Sequence, residues 1–137
     1  MNRTALLLAT ATLIGLSVPA DALTTRIGAR VLDVDGVVFE VVPRGRQRTG
    51  DFWCAASEYA RRALGAGWND RIYIARGRGP SVTTGRKTAV QFTMSPQAAG
   101  ITPLENDLTS IRVGLKVGDN MSVNQANGYC DPTPVWF

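Results

Sequence analysis

Apolar positions along this chain fall into short blocks between polar turns, and their spacing predicts strands, then one helix, then strands again. Residues 27–33 and 37–42 are rich in β-branched side chains and flank Asp33-Val34-Asp35-Gly36, a turn sequence, which predicts a hairpin. Around Val37-Val38-Phe39 the apolar run is nearly unbroken, the pattern of a strand covered on both faces. Residues 43–50 form a polar, Arg-rich loop that ends at Asp51, a good N-cap residue type. A helical period then holds from about Phe52 to Leu64 and stops at Gly65-Ala66-Gly67. On that wheel Phe52, Trp53, Ala55, Ala56, Tyr59, Ala60, Ala63 and Leu64 share one half. Cys54, Ser57, Glu58, Arg61 and Arg62 share the other, with Glu58 spaced to pair with Arg61 and Arg62.

Residues 71–75 and 88–93 read as two strands joined by a loop rich in Gly, Pro and Arg, and residues 81–84 are candidates to extend one of them. Residues 95–107 are punctuated by Pro and Gly, with one helical turn expected over 95–99. Further on, Ile111, Val113, Leu115 and Val117 alternate with polar or small residues, Gly118-Asp119-Asn120 turns, and Met121 and Val123 return, which predicts a last hairpin. The simplest architecture is α+β: an antiparallel sheet of about five or six strands with one main helix, about 52–64, packed on it.

Residues 1–22 change where such a domain is expected to work. Arg3 precedes an apolar stretch over 5–18, and Ala20-Asp21-Ala22 offers the small-x-small site of a signal peptide, with cleavage after Ala22 preferred over Ala20. At about 14 residues the stretch is short of the roughly 20 needed to cross a bilayer. Nothing later is long and apolar enough to span a membrane, so a single domain over 23–137 is expected in the periplasm or outside the cell. Two cysteines in an exported domain predict a disulfide between Cys54 and Cys130. With about 75 residues enclosed, the chain-entropy model puts its contribution at roughly 4–5 kcal/mol. If the pair is bridged, the C-terminal segment must cross the outer side of the helix start, because Cys54 lies on the polar half of the wheel.

The chain has no histidine, which removes Ser-His and Cys-His nucleophile pairs and imidazole metal ligands. A catalytic Cys54 would have only Glu58 as a base on its helix face, and no cofactor or metal site is expected. Acid–base work would fall to paired carboxylates, either Asp33 with Asp35 or Glu105 with Asp107. The plainer reading of the first pair is turn chemistry before Gly36, and of the second a solvated loop. A calcium loop starting at Asp33 fails, because Val and Phe occupy its later ligand positions. Gly79-Pro80-Ser81-Val82-Thr83-Thr84-Gly85-Arg86-Lys87-Thr88 looks like a phosphate-binding loop, but it has one residue too many between its glycines, and Arg86 follows Gly85 where lysine should stand.

Charge carries the remaining lead. The net charge is +4, and removing Arg3 and Asp21 leaves it so. Thirteen of the fifteen basic residues are Arg, the side chain suited to bidentate contact with phosphate, sulfate or carboxylate. Arg44, Arg46 and Arg48 form one group and Arg76, Arg78, Arg86 and Lys87 another, all candidate anion-binding residues; the competing reading is solvated loop arginines that reflect genome composition. Nucleic acid is a poor partner for an exported domain, and no aromatic residues interleave with these arginines as a stacking platform needs. The Trp and Tyr residues are expected in the core. The aromatic ending Val135-Trp136-Phe137 does not make an outer-membrane barrel, because Pro132 and Pro134 interrupt a last strand.

Phe52-Trp53-Cys54-Ala55-Ala56-Ser57-Glu58-Tyr59-Ala60, with Leu64-Gly65-Ala66, Arg71-Ile72-Tyr73-Ile74 and the segment 79–86, resembles a group of small exported alphaproteobacterial proteins of unknown function. The likeness covers about residues 51–93 and implies export without transferring an activity. The expected function is a small exported, non-enzymatic binding domain for an anionic envelope or glycan partner. A carboxylate-based hydrolase is the alternative, as is a protein inhibitor presenting the loop 43–50 or 76–87 to a secreted enzyme.

Overall fold

A computed structural model describes residues 22–105 and 114–131. The signal-peptide stretch, Asp107, the outgoing half of the expected last hairpin at 111–113, and the residues from 132 onward lie outside the described residues. The elements are β1 (Leu23–Thr24), β2 (Arg30–Asp33), β3 (Val38–Val42), α1 (Thr49–Arg62), β4 (Arg71–Gly79), β5 (Ala89–Thr93), β6 (Asn120–Ser122) and α2 (Val123–Asn127). The strands form one sheet in the order β1-β2-β3-β5-β4-β6, antiparallel throughout. This is the expected α+β architecture, one main helix on an antiparallel sheet, with a short second helix added.

The β2–β3 hairpin forms as its sequence predicts. Asp33 accepts the Gly36 N–H, Asp35 accepts the N–H groups of Val37 and Val38, and Gly36 takes a positive φ of 83°. The strand expected over 27–33 starts later, at Arg30. Gly28, at φ 83°, turns the chain so that Thr25 bonds Ala29 and Leu23–Thr24 runs back along β2 as an edge strand.

Helix α1 starts at Thr49, ahead of the expected position, and its N-cap is Arg48 rather than Asp51. Asp51 sits inside the first turn and reaches back to accept the Arg48 N–H at 3.0 Å, so it still serves the helix start from within. The helix ends at Arg62 with Ala63 as its C-cap, and Gly65, at a φ of 66°, then lets the Ala66 N–H close on the Ala60 carbonyl. Its small-residue face lies on the sheet, where Phe39 meets Tyr59 at 4.6 Å and Trp53 meets Phe92 edge-on at 5.2 Å. Trp53 also donates its indole N–H to the Gly114 carbonyl.

The polar half of the helix is covered too: every residue from Asp51 to Ala60 is buried, because α2 and the segment 128–130 lie across it. Cys54 is joined to Cys130 with Cα atoms 4.9 Å apart, and the Tyr129 ring packs on Gly50 at the helix start. The C-terminal segment therefore crosses the outer side of the helix, as the wheel requires of a bridged Cys54. Glu58 pairs with Arg62 at 3.8 Å and accepts the Arg26 N–H. Arg61 does not join it but stacks over Trp68, whose ring centroid is 4.1 Å away. Trp68 is thus half exposed rather than a core residue.

Two expectations for the later strands are corrected. Residues 118–122 do not return along 114–117. The Gly118 N–H and Asp119 carbonyl bond the backbone of Ile74, and β6 adds to the edge of β4. Val123 then opens α2 instead of prolonging a strand, because Ser122 and Gln125 form a capping box that starts a helix. Residues 81–84 extend no strand either. They form a turn, described below, that is pinned to the far face of the sheet. Residues 95–101 make the expected helical turn, with the Ala99 N–H on the Ser95 carbonyl.

Strand β4 carries two register shifts. Ile74 lies opposite Phe92, Arg76 opposite Gln91 and Gly79 opposite Ala89, so one extra residue enters β4 at each step. The first shift decides where an arginine goes. Ile72 and Ile74 face α1 in the core, and unbroken alternation would send Arg76 after them; the bulge turns it to the opposite face.

Candidate anion-binding cleft

Antiparallel pairing brings the end of β3, the end of β4 and the start of β5 together, since Val41 lies opposite Val90 and Gly79 opposite Ala89. The loops leaving those strands, 43–48 and 80–88, therefore emerge at one end of the sheet, where α1 also begins. All seven predicted anion-binding residues sit at this end. Between the loops lies a cleft of about 370 Å³ lined by Pro43, Gln47, Gly85, Arg86, Lys87 and Thr88.

The seven differ in what they are free to do. Arg46 and Arg48 both reach the buried Asp51, at 3.0 and 3.5 Å. Arg78 ties the end of β4 to the 43–48 loop: its guanidinium donates to the Gln47 carbonyl at 2.8 Å and lies 4.7 Å from the Phe52 ring centroid. Arg76 folds back on its own strand, donating to the Gly77 and Ala89 carbonyls, and the missing Cβ of Gly79 leaves room for its guanidinium. Arg44, Arg86 and Lys87 are exposed, and among the described residues no carboxylate pairs with them. One cation escaped the sequence grouping. Arg30 pairs in register with Val42 at the root of the 43–48 loop, a neighbourhood that only strand pairing reveals.

Apart from Asp51, which Arg46 and Arg48 engage, the acidic residues of these hairpins are placed elsewhere. Asp33 and Asp35 stand at the opposite end of the sheet, in the β2–β3 turn, where Asp33 accepts a backbone N–H with both oxygens and Asp35 accepts two with its Oδ1. Bonds from Val38 and Val37 hold the Asp35 carboxyl below its ordinary pKa, which favours the anion. A general acid needs the reverse. Charge is thereby segregated along the strands, cations at the cleft end and these carboxylates at the other.

The exception is Glu40, in the middle of β3 and fully buried on the face away from α1. Sequence reading passed over it, although a lone carboxylate inside an apolar run covered on both faces has to find donors. They come from the turn at 81–84. Ser81 Oγ donates to Glu40 Oε1 at 2.6 Å, the Thr83 N–H donates at 2.8 Å, the Val82 N–H reaches Oε2 at 3.2 Å, and the Thr83 hydroxyl adds another bond. Ser81 Oγ in turn accepts the N–H and the hydroxyl of Thr84. Burial pushes the Glu40 carboxyl up, but the bonds from Ser81, Thr83 and Val82 together outweigh it and leave the pKa below the usual glutamate value. The segment that looks like a phosphate loop is thus an anion cradle whose anion is the protein's own side chain.

No protein-family model matches the chain, and no curated protein or solved structure matches it. The fold and the cleft describe a small disulfide-bonded α+β domain with one basic end. A closed disulfide is the chemistry of an oxidising compartment. No helix among the described residues is long and apolar enough to cross a membrane.

Proposed function

We propose that the protein is an exported, non-enzymatic binding domain whose basic end grips anionic groups of an envelope polymer or glycan, in the periplasm or outside the cell. The observation that carries this reading is the convergence of two basic loops, some 40 residues apart in the chain, on one cleft. Arg86 and Lys87 line that cleft and Arg44 is exposed on the 43–48 loop beside it, all three without a carboxylate partner among the described residues, and the carboxylates of the β2–β3 turn are at the far end. Such an arrangement attracts an anion and orients the domain toward it. Residues 1–22 and the disulfide support export, and the resemblance of residues 51–93 to small exported alphaproteobacterial proteins agrees with it.

Heparin, a sulfated glycan, provides the test. The disulfide-intact domain is expected to be retained on a heparin column at moderate ionic strength. Replacing Arg44, Arg86 and Lys87 by Ala should weaken binding by about 3-fold to 150-fold, at roughly 0.2–1 kcal/mol for each exposed charge contact. Elution at low salt, unchanged by the triple substitution, would sink the reading.

A further inference from the structure

Glu40 does not line the cleft, yet among the described residues it is the carboxylate with the most donors. Its row across the sheet runs Leu32 from β2, Glu40, Gln91 from β5 and Arg76 from β4. Arg76 is the titratable or charged member of that row besides Glu40, and its guanidinium is turned onto the Gly77 and Ala89 carbonyls. The loop packed over Glu40 presents hydroxyls and backbone N–H groups from Ser81, Val82 and Thr83. Four donors from one short turn therefore converge on a buried carboxylate with no ion pair among the described residues. That same turn roots Gly85, Arg86, Lys87 and Thr88, which line the cleft, and the Ser81 N–H closes the loop on the Arg86 carbonyl.

We propose that Glu40 is the positioning residue of the cleft: a buried carboxylate latch whose charge fixes the Arg86–Lys87 wall, and whose neutralisation releases it. The consequence for ligand affinity rests on the binding reading above; the latch itself is a property of the fold. Charge is what the cradle requires. A neutral carboxyl or an amide offers one carbonyl oxygen to donors that had two acceptor oxygens, and its own N–H or O–H meets groups that are themselves donors. The direction of the Glu40 shift sets the pH window. A carboxyl whose pKa is lower in the fold than in the unfolded chain contributes stability that is complete above the unfolded value and is lost as pH falls through the folded one. The latch is therefore shut at neutral pH and opens only below the ordinary glutamate range.

The test compares amide-exchange protection factors in the wild-type protein and Glu40→Gln, both with the disulfide formed. At neutral pH the variant is expected to lose protection at Val82 and Thr83 by about 30-fold or more, the worth of one to two charge-assisted bonds. Protection at Phe39 and Val41 should hold. The wild type should lose the same protection only on acidification, and the variant should show no acid transition in this loop. Equal protection in the two proteins, or a loss spread evenly over β3, would overturn the proposal. Should Glu40→Gln fail to fold, Thr83→Val removes one hydroxyl donor and keeps the carboxylate; it should raise the pH at which the loop opens, and an unmoved midpoint would overturn the latch. Tripolyphosphate affinity separates the two readings. A loosened loop with weaker binding supports positioning, and a loosened loop with undiminished binding refutes it. If the loop loosens as expected while neither protein binds tripolyphosphate or heparin, the latch stands and the binding reading falls.

Discussion

Replacing both Cys54 and Cys130 by Ala isolates the disulfide from other chemistry, since the two cysteines are 0% and 8% exposed and neither is left with a polar group to bury. The bridge closes a loop with a sequence separation of 76. In the chain-entropy model that length removes about 15 cal/mol/K from the unfolded ensemble, or about 4.5 kcal/mol at 25 °C. A domain of this size shifts by about 4 °C per kcal/mol, so the melting temperature should fall by about 15–20 °C. Urea denaturation followed by tryptophan fluorescence measures the change, because Trp53 sits in the core between α1 and the sheet. The slope of stability against urea should rise in the variant, since an unbridged chain exposes more surface when it unfolds. A loss under about 1.5 kcal/mol with an unchanged slope would refute the reasoning. So would an early transition confined to Tyr129 with the main transition unmoved, which would mean that the bridge tethers only the end of the chain.

Two further substitutions probe the packing that the staple encloses. Phe39→Ala opens a hole between Tyr59 and Phe92 at a position 2% exposed, and should cost about 3–5 kcal/mol by urea denaturation, since the alanine-rich helix face has little bulk to move in. Gly50→Ala would bring a methyl to 2.9 Å from the Tyr129 ring, so a change that favours a helix by up to about 1 kcal/mol should instead destabilise by about 1–2 kcal/mol. In a Tyr129→Ala background the same change should stabilise, and a double-mutant cycle without that reversal would show that the ring does not set the limit.

What the sequence disclosed was local in origin. The Asp33-Val34-Asp35-Gly36 turn folds through bonds among near neighbours, and its hairpin is legible for that reason. The disulfide follows from having two cysteines, and the helix from its period. Alternation past Ile111 misled because the partner of residues 120–122 is β4, some 50 residues earlier, while Ser122 and Gln125 already carried the signal for a helix. The cleft was half legible. Its residues were named from composition, but their meeting depends on β5 entering between β3 and β4. Glu40 was visible as a misfit in an apolar strand; its donors lie more than 40 residues away.

The bulge after Ile74 acts as a phase shifter. A regular strand assigns odd and even positions to fixed sides for its whole length, so a strand that feeds a core cannot also serve a charged surface at the same parity. In β4 Ile72, Ile74 and Arg76 share parity, yet one extra residue divides them between an oily interior and a polar exterior. Register is therefore under tighter control here than composition. Taking Ala75 into the ladder opposite Gln91 would swing Arg76 inward against the core, whereas deleting Ala75 would remove the bulge and still leave Arg76 opposite Gln91 on the outer face.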